Sequence, residues 1–262
     1  KVGSTAVLHE VFDRLVDNTT NTVAISARNT ALQTITAATL NDEEFVTYSS
    51  VNAAADVTIT TLNAADLLTL TVSGEGDLIV TNAITSTLVR TVDASATTGA
   101  VTILASNAVV ATTATAGSGV FTFTGGALAD SITGGTAADI LSGGNGADVI
   151  NSGTGNDNTT GGNGADVINV GSGTDTLTLG ADAQSAVSTR TTAATANTID
   201  LTGADVVTGM AAGDIIDLEG LGLATVGVNA DNQLLGAADV DMTDGLVDNT
   251  FALIRGSWIA GT

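Results

Sequence analysis

Six aspartates stand nine residues apart along one stretch of the chain: Asp130, Asp139, Asp148, Asp157, Asp166 and Asp175. Each is the sixth letter of a nine-residue unit. The six units run without insertion as GGALADSIT, GGTAADILS, GGNGADVIN, SGTGNDNTT, GGNGADVIN and VGSGTDTLT. No Lys, Arg or His lies between Arg90 and Arg190, so no cationic side chain in this stretch balances the carboxylates. Glycine surrounds them instead. The second letter is Gly throughout (Gly126, Gly135, Gly144, Gly153, Gly162, Gly171), and the fourth is Gly146, Gly155, Gly164 and Gly173 in the last four units. In the first two units the fourth letter is Leu128 or Ala137. Glycine takes positive φ without steric cost, so G-G-x-G-x-D makes a tight turn that sets main-chain carbonyls beside a carboxylate. The chemistry on offer is capture of a hard cation by oxygen. A thiolate zinc site is excluded, because the chain has no Cys and a single His.

The letters after each Asp show how such turns are positioned. The eighth letter is Ile132, Leu141, Ile150, Thr159, Ile168 or Leu177. A three-residue strand with that side chain turned inward fits the pattern. Two units then make one flattened coil with a turn at each edge, and Gly143–Asn151 recurs letter for letter at Gly161–Asn169, one coil later. The expectation is two ladders, Asp130, Asp148 and Asp166 along one edge and Asp139, Asp157 and Asp175 along the other. Neighbouring strands lie about 4.8 Å apart. Two carboxylates about 5 Å apart repel by roughly 3 kcal/mol at an effective dielectric near 20. A cation between coils reverses that sign. Oxygen ligands on flexible turns select Ca²⁺ over Mg²⁺ or Zn²⁺. The expected ligands are the six aspartates with the turns of Gly144, Gly146, Gly153, Gly155, Gly162, Gly164, Gly171 and Gly173. The Asp148–Asp166 and Asp157–Asp175 interstices are the strongest sites. The first two turns, lacking Gly at the fourth letter, bind weakly or begin the roll. In the fourth unit Thr159 replaces the core aliphatic. A buried, unpaired hydroxyl there costs about 1–3 kcal/mol, so Thr159→Val is expected to stabilise the roll without losing an ion.

Around this segment the composition changes. Residues 1–124 are rich in Thr, Ala and Val. The opening AVLHEVFDRLV has the three- and four-residue apolar spacing of a short helix, with His9 on its surface. After it DVTITTL, LLTLTVSGEGDLIVTN, GAVTILAS and GVFTFTGG have strand composition. They recur at an uneven spacing of roughly 15 to 25 residues, which suits the coils of a parallel solenoid but also a stacked sandwich. Residues 181–262 hold the strand-like GADVVTG and AGDIIDLEG, then Phe251 and Trp258, large side chains suited to a closing cap. The expected organisation is a β region over 1–124, a cation-binding roll over 125–180 and a β-rich cap or assembly region over 181–262. The fold class is all-β, a parallel β-solenoid or β-roll.

A net charge of -22 sets the chain against nucleic acid and anionic membrane surfaces. No apolar run approaches the ~20 residues of a membrane-spanning helix. Catalytic signatures are missing: His9-Glu10 has no second His at metalloprotease spacing, and no G-x-S-x-G occurs. Acidic pairs such as Asp42 with Glu43, or Asp214 with Asp217, read as solvated turns or auxiliary cation ligands rather than as acid-base groups. The chain is expected not to be an enzyme.

The nonapeptides resemble those of the RTX parallel β-roll. In that family the Asp carboxylate and neighbouring turn carbonyls hold calcium between successive turns of one edge. The flanks LTLTVSGEGDLIVTN and LVRTVDASATTGAVTILAS resemble RTX-type surface-layer proteins of Gram-negative bacteria. So do the unbroken run FTFTGGALADSITGG and the C-terminal TFALIRGSWIAGT. The resemblance implies type I secretion, folding triggered by extracellular calcium, and self-assembly into a lattice on the bacterial cell surface. The layer would be held to a surface glycan or lipopolysaccharide through a region outside this sequence. Glu75, Asp77 and Asp205 are candidates for further cations at lattice contacts. Two other readings stay open: the RTX folding and secretion region of a secreted hydrolase or toxin, and a segment of a calcium-dependent adhesin.

Overall fold

The computed structural model describes residues 22–28, 31–40, 44–178, 205–208, 215–217, 227–228 and 234–235. Its strands open with β1 (Thr22–Ala27), β2 (Gln33–Thr39), β3 (Phe45–Ser50), β4 (Val57–Asn63), β5 (Thr69–Gly74) and β6 (Leu78–Val80). They continue with β7 (Thr91–Thr97), β8 (Val101–Leu104), β9 (Thr113–Thr115), β10 (Phe121–Thr124), β11 (Ser131–Thr133) and β12 (Ile140–Asn145). Next come β13 (Val149–Asn151), β14 (Asn158–Asn163), β15 (Val167–Asn169) and β16 (Thr176–Thr178), which with β11 and β12 are the strands of the nonapeptides. Beyond it lie β17 (Val206–Thr208), β18 (Ile215–Asp217) and a short antiparallel pair, β19 (Gly227–Val228) with β20 (Leu234–Leu235).

From β1 to β18 the odd strands form one nine-stranded sheet and the even strands another. Every pairing within both is parallel. Each coil gives one strand to each sheet, which is a flattened parallel solenoid and rules out the sandwich. No helix occurs among the described residues. The expected N-terminal helix, His9, Phe251 and Trp258 lie outside them. GADVVTG and AGDIIDLEG supply β17 and β18, and the sheets pass from Thr124 into the nonapeptides without a break.

Coil length tightens along the chain. Thr22 pairs with Phe45, 23 residues on, and Phe45 with Thr69, 24 residues on. By Thr113 and Ser131 the step is 18, and it holds through Asn151 and Asn169. Then both sheets step by 39, Val167 to Val206 and Thr176 to Ile215.

The core is the layer between the two sheets. Ile132, Leu141, Ile150, Ile168 and Leu177, the eighth letters, are all buried in it. Full burial of such a side chain contributes about 1.5–3 kcal/mol. Upstream the layer also holds aromatic side chains, with Tyr48 buried and Phe121 stacked on Phe123 at 5.6 Å between ring centroids. Thr159 is buried as well, but its hydroxyl is not unpaired: Oγ1 lies 2.7 Å from Ser152 Oγ. The expected gain from Thr159→Val is therefore overturned.

Candidate metal centre

The six aspartates are all buried, and each precedes a strand by one residue. They form the two expected ladders, stitched coil to coil through Oδ1. Along one, Thr112 N donates to Asp130 Oδ1 (2.6 Å), Asp130 N to Asp148 Oδ1 (2.7 Å) and Asp148 N to Asp166 Oδ1 (2.9 Å). Along the other, Phe121 N donates to Asp139 Oδ1 (2.8 Å), Asp139 N to Asp157 Oδ1 (2.8 Å) and Asp157 N to Asp175 Oδ1 (2.9 Å). These carboxylates occupy an interior column. Leu78 pairs with Val101 and Val101 with Phe121, all inward, and Asp139 follows in the same column. The ladder thus begins where an apolar column ends.

The second carboxylate oxygen divides the ladders into two kinds of rung. Asp130 Oδ2 accepts from Gly126 N and Asp139 Oδ2 from Gly135 N, each at 2.7 Å. Both oxygens of these two side chains are capped by main-chain amides. Asp148 Oδ2 and Asp157 Oδ2 are buried with no hydrogen-bond partner. The turns differ in step with this. Gly144, Gly146, Gly153, Gly155, Gly162, Gly164, Gly171 and Gly173 all have positive φ, whereas Gly126 and Gly135 do not. Leu128 and Ala137 at the fourth letter resist positive φ, and those turns keep the second glycine's amide on the carboxylate. With Gly at the fourth letter the turn takes the other form, and the amide leaves Oδ2.

Burial dominates the acidities. It pushes the Asp148 carboxyl up to about 7, against the hydrogen bond from Asp130 N and with help from the charges of Asp166 and Asp130. The Asp157 carboxyl is pushed up to about 6 by burial, opposed by the Asp139 N–H and reinforced by the charges of Asp139 and Asp175. Burial also raises Asp130 and Asp139, where two amide bonds each pull the other way. A buried, uncapped carboxylate oxygen needs either a proton or a cation.

The residues present fit a hard cation. A Cβ on Gly143 would fill a space bordered by Asp148 Oδ2 and by the Gly161 carbonyl of the next coil. Among the described residues no three His, Cys, Asp or Glu side chains converge on one point. An ion here would be held by one or two carboxylates with main-chain carbonyls completing the shell, an all-oxygen set suited to Ca²⁺. Asp148 and Asp157, with the glycine turns of their coils, would hold it. When bound, calcium supplies the positive charge that lets these carboxylates stay ionised inside the roll.

Residues 124–158 and 160–183 match the RTX calcium-binding nonapeptide repeat. The match comprises four copies of that repeat. No curated protein and no solved structure matches the chain. The matched segment is an RTX-type β-roll, built of repeats of a calcium-binding class characteristic of secreted proteins.

One relationship escaped the sequence reading: the same turn runs upstream of the repeats. Substituted Cβ atoms on Gly119 and Gly99 would each meet the glycine one coil earlier, Gly99 and Gly76, while those on Gly135 and Gly117 would meet Gly117 and Thr97. Gly74 already has φ +106°. GEGDL at Gly74–Leu78 and GSGVF at Gly117–Phe121 therefore stack in line with GTGND and GSGTD, with Leu78 or Phe121 where the repeats place Asp. The shared G-x-G-x spacing was the available signal. Asp77, one position earlier, is engaged in the turn: its N–H donates to Asp56 Oδ1 (3.0 Å) and its Oδ1 accepts from Ala100 N (2.7 Å). Glu75 is exposed.

Proposed function

We propose that this chain is a structural protein of a bacterial surface layer, exported unfolded, folded by extracellular calcium and assembled with copies of itself into a lattice. The observation that carries the calcium-dependent part is the pair of buried Asp148 and Asp157 Oδ2 atoms without donors in an RTX-type roll. Where calcium is scarce these carboxylates oppose folding. Where it is plentiful the ion binds the folded state alone and stabilises it by mass action.

Three features support the structural and assembling part. The Thr/Ala-rich solenoid is continuous with the roll and resembles surface-layer proteins. The catalytic signatures sought in the sequence are missing. The flat outer face of one sheet carries Val149 and Val167 on neighbouring rungs, each about half exposed at 51% and 46%, and such apolar surface suits contact with another protein. Electron microscopy of the purified chain in millimolar calcium tests the reading. Ordered sheets or tubes that vanish with chelator are expected. Monodisperse particles would favour a secretion module or an adhesin segment instead.

A further inference from the structure

We propose that Asn145 is a site of spontaneous covalent modification: the open chain converts it to aspartate or isoaspartate, and the closed roll forbids the reaction. Asn145-Gly146 and Asn163-Gly164 are the two places in the chain where Gly follows Asn. Both are the third and fourth letters of a nonapeptide turn. The Gly146 main-chain nitrogen attacks Asn145 Cγ, and its proton passes through solvent to Nδ2, which leaves as ammonia. Water then opens the cyclic imide at either carbonyl. One opening gives aspartate; the other gives isoaspartate, with the main chain carried through Cγ. Water is the sole co-reactant. Glycine favours the step, because without a Cβ its nitrogen is unhindered and its backbone turns freely.

Exposure and bonding oppose each other at this site. Asn145 is exposed and Gly146 half-buried, so solvent reaches both. The reacting groups are nevertheless tied to neighbouring coils and not to each other. Gly146 N, the nucleophile, donates to Asn163 O of the next coil at 2.7 Å. Asn145 Oδ1, on the carbon to be attacked, accepts from Asn163 Nδ2 at 2.6 Å. Asn145 N donates to Gly126 O of the coil before at 2.9 Å. Asn145 ends β12 in register with Asn163, as Gly144 is with Gly162. Ring closure must turn the Asn145–Gly146 peptide until its nitrogen leaves Asn163 O. The turn is also stacked closely on the coil before, where a Cβ on Gly146 would collide with the main chain of Leu128 and Ala129. The coils must part before the imide can form.

The product in turn bears on folding. Isoaspartate lengthens the main chain at the end of β12. It carries Asp148 and Ile150 out of the register they keep with Asp166 and Ile168, 18 residues on. A chain that closes promptly keeps Asn145, and one left open loses the ability to close there. This rests on calcium as the agent that closes the roll, and adds a limit on how long the open chain stays competent.

Peptide mass spectrometry of the whole chain tests this. Samples are aged at mildly alkaline pH in calcium chloride, in chelator, and in chelator with urea, and hydrogen exchange reports which are closed. Conversion at Asn145 should be at least about tenfold slower in calcium than in urea, since local stability above about 1.4 kcal/mol imposes that factor on a reaction that awaits opening. In urea Asn145 should convert ahead of Asn151 and Asn158, whose neighbours Ser152 and Thr159 crowd the attacking nitrogen. No such lead, or equal conversion in urea and in a calcium sample shown to be closed, would overturn the proposal. A chelated chain still closed, with Asn145 intact until urea is added, would uphold the gate and remove calcium from it. A chain that stays open in calcium would overturn the gate and the reading beneath it together. Returning the aged chain to calcium gives a second readout. Molecules with isoaspartate at position 145 should fail to protect the amides of Val149 to Asn151, while those that retain Asn145 recover. Equal recovery of both would overturn the effect on closure.

Discussion

Ser152 Oγ and Thr159 Oγ1 face each other at 2.7 Å inside the roll, both side chains fully buried. They are the two letters by which the fourth nonapeptide departs from its neighbours at the first and eighth places, and each hydroxyl satisfies the other. Thr159→Val alone leaves Ser152 Oγ buried without its partner, at a cost of about 1–3 kcal/mol. Ser152→Gly with Thr159→Ile, which restores the letters of the third and fifth units, should recover that loss. Urea denaturation in saturating calcium checks this: the single variant falls below wild type and the double variant does not. Additive effects of the two changes would show that the pair is not coupled.

The capped and uncapped rungs should part company in a calcium titration. Asp130→Asn and Asp139→Asn remove carboxylates whose oxygens already accept amide hydrogens from Gly126 and Thr112, and from Gly135 and Phe121. Neither should change the number of ions bound. Each should lower stability by about 1–3 kcal/mol, because the Asn amino group meets a donor where the carboxylate oxygen accepted one. Asp148→Asn and Asp157→Asn should each lose bound calcium. Equal loss from all four variants would dissolve the distinction.

The nonapeptide roll was legible because its period never slips: an Asp every nine letters fixes coil length, turn position and inward face together. The upstream coils were harder to parse. Their length drifts from 24 residues to 18, and their turns carry Leu78 and Phe121 where the marker Asp would stand. An apolar residue in that column looks like any core residue until the strand register aligns it with Asp139. The Ser152–Thr159 bond was hidden for a different reason. Two polar letters seven apart face each other only once the chain has crossed from one sheet to the other. Asp205 stands in a strand-like run, but its alignment with Asp166 depends on a 39-residue step that no fixed period reveals.

Without calcium the roll should respond to pH in the direction opposite to ordinary acid denaturation. The folded-state carboxyls of Asp148 and Asp157 sit at about 7 and about 6, above the ordinary value of 3.8. The unfolded chain therefore releases these protons first as pH rises. Stability that is full below about 3.8 is lost progressively toward about 7. In chelator, circular dichroism should show more strand signal at about pH 5 than at about pH 8. In saturating calcium this trend should disappear, and the half-saturating calcium concentration should rise on acidification below about 7, since the ion displaces protons. A chelated chain equally folded at both values would contradict the buried, uncapped state of these side chains.

Chelation at neutral pH should open the molecule from the roll and leave the upstream solenoid closed. The interior column is Leu78, Val101 and Phe121 in the earlier coils and Asp139, Asp157 and Asp175 in the later ones. The first set is held by apolar burial, which needs no ion. Asp130 and Asp139 at the junction are capped by amides, so the change of regime falls at Asp148 and Asp157, where Oδ2 has no donor. Hydrogen exchange by mass spectrometry should accordingly show strands β4 to β10 protected with or without chelator, since local stability follows local burial. Amides of Ile150 and Ile168 should lose protection when calcium is removed and regain it on return, growing outward from the closed coils. Loss of protection along the whole solenoid at a single calcium concentration would mean that the upstream core does not stand alone, and that the ions hold both regions as one cooperative unit.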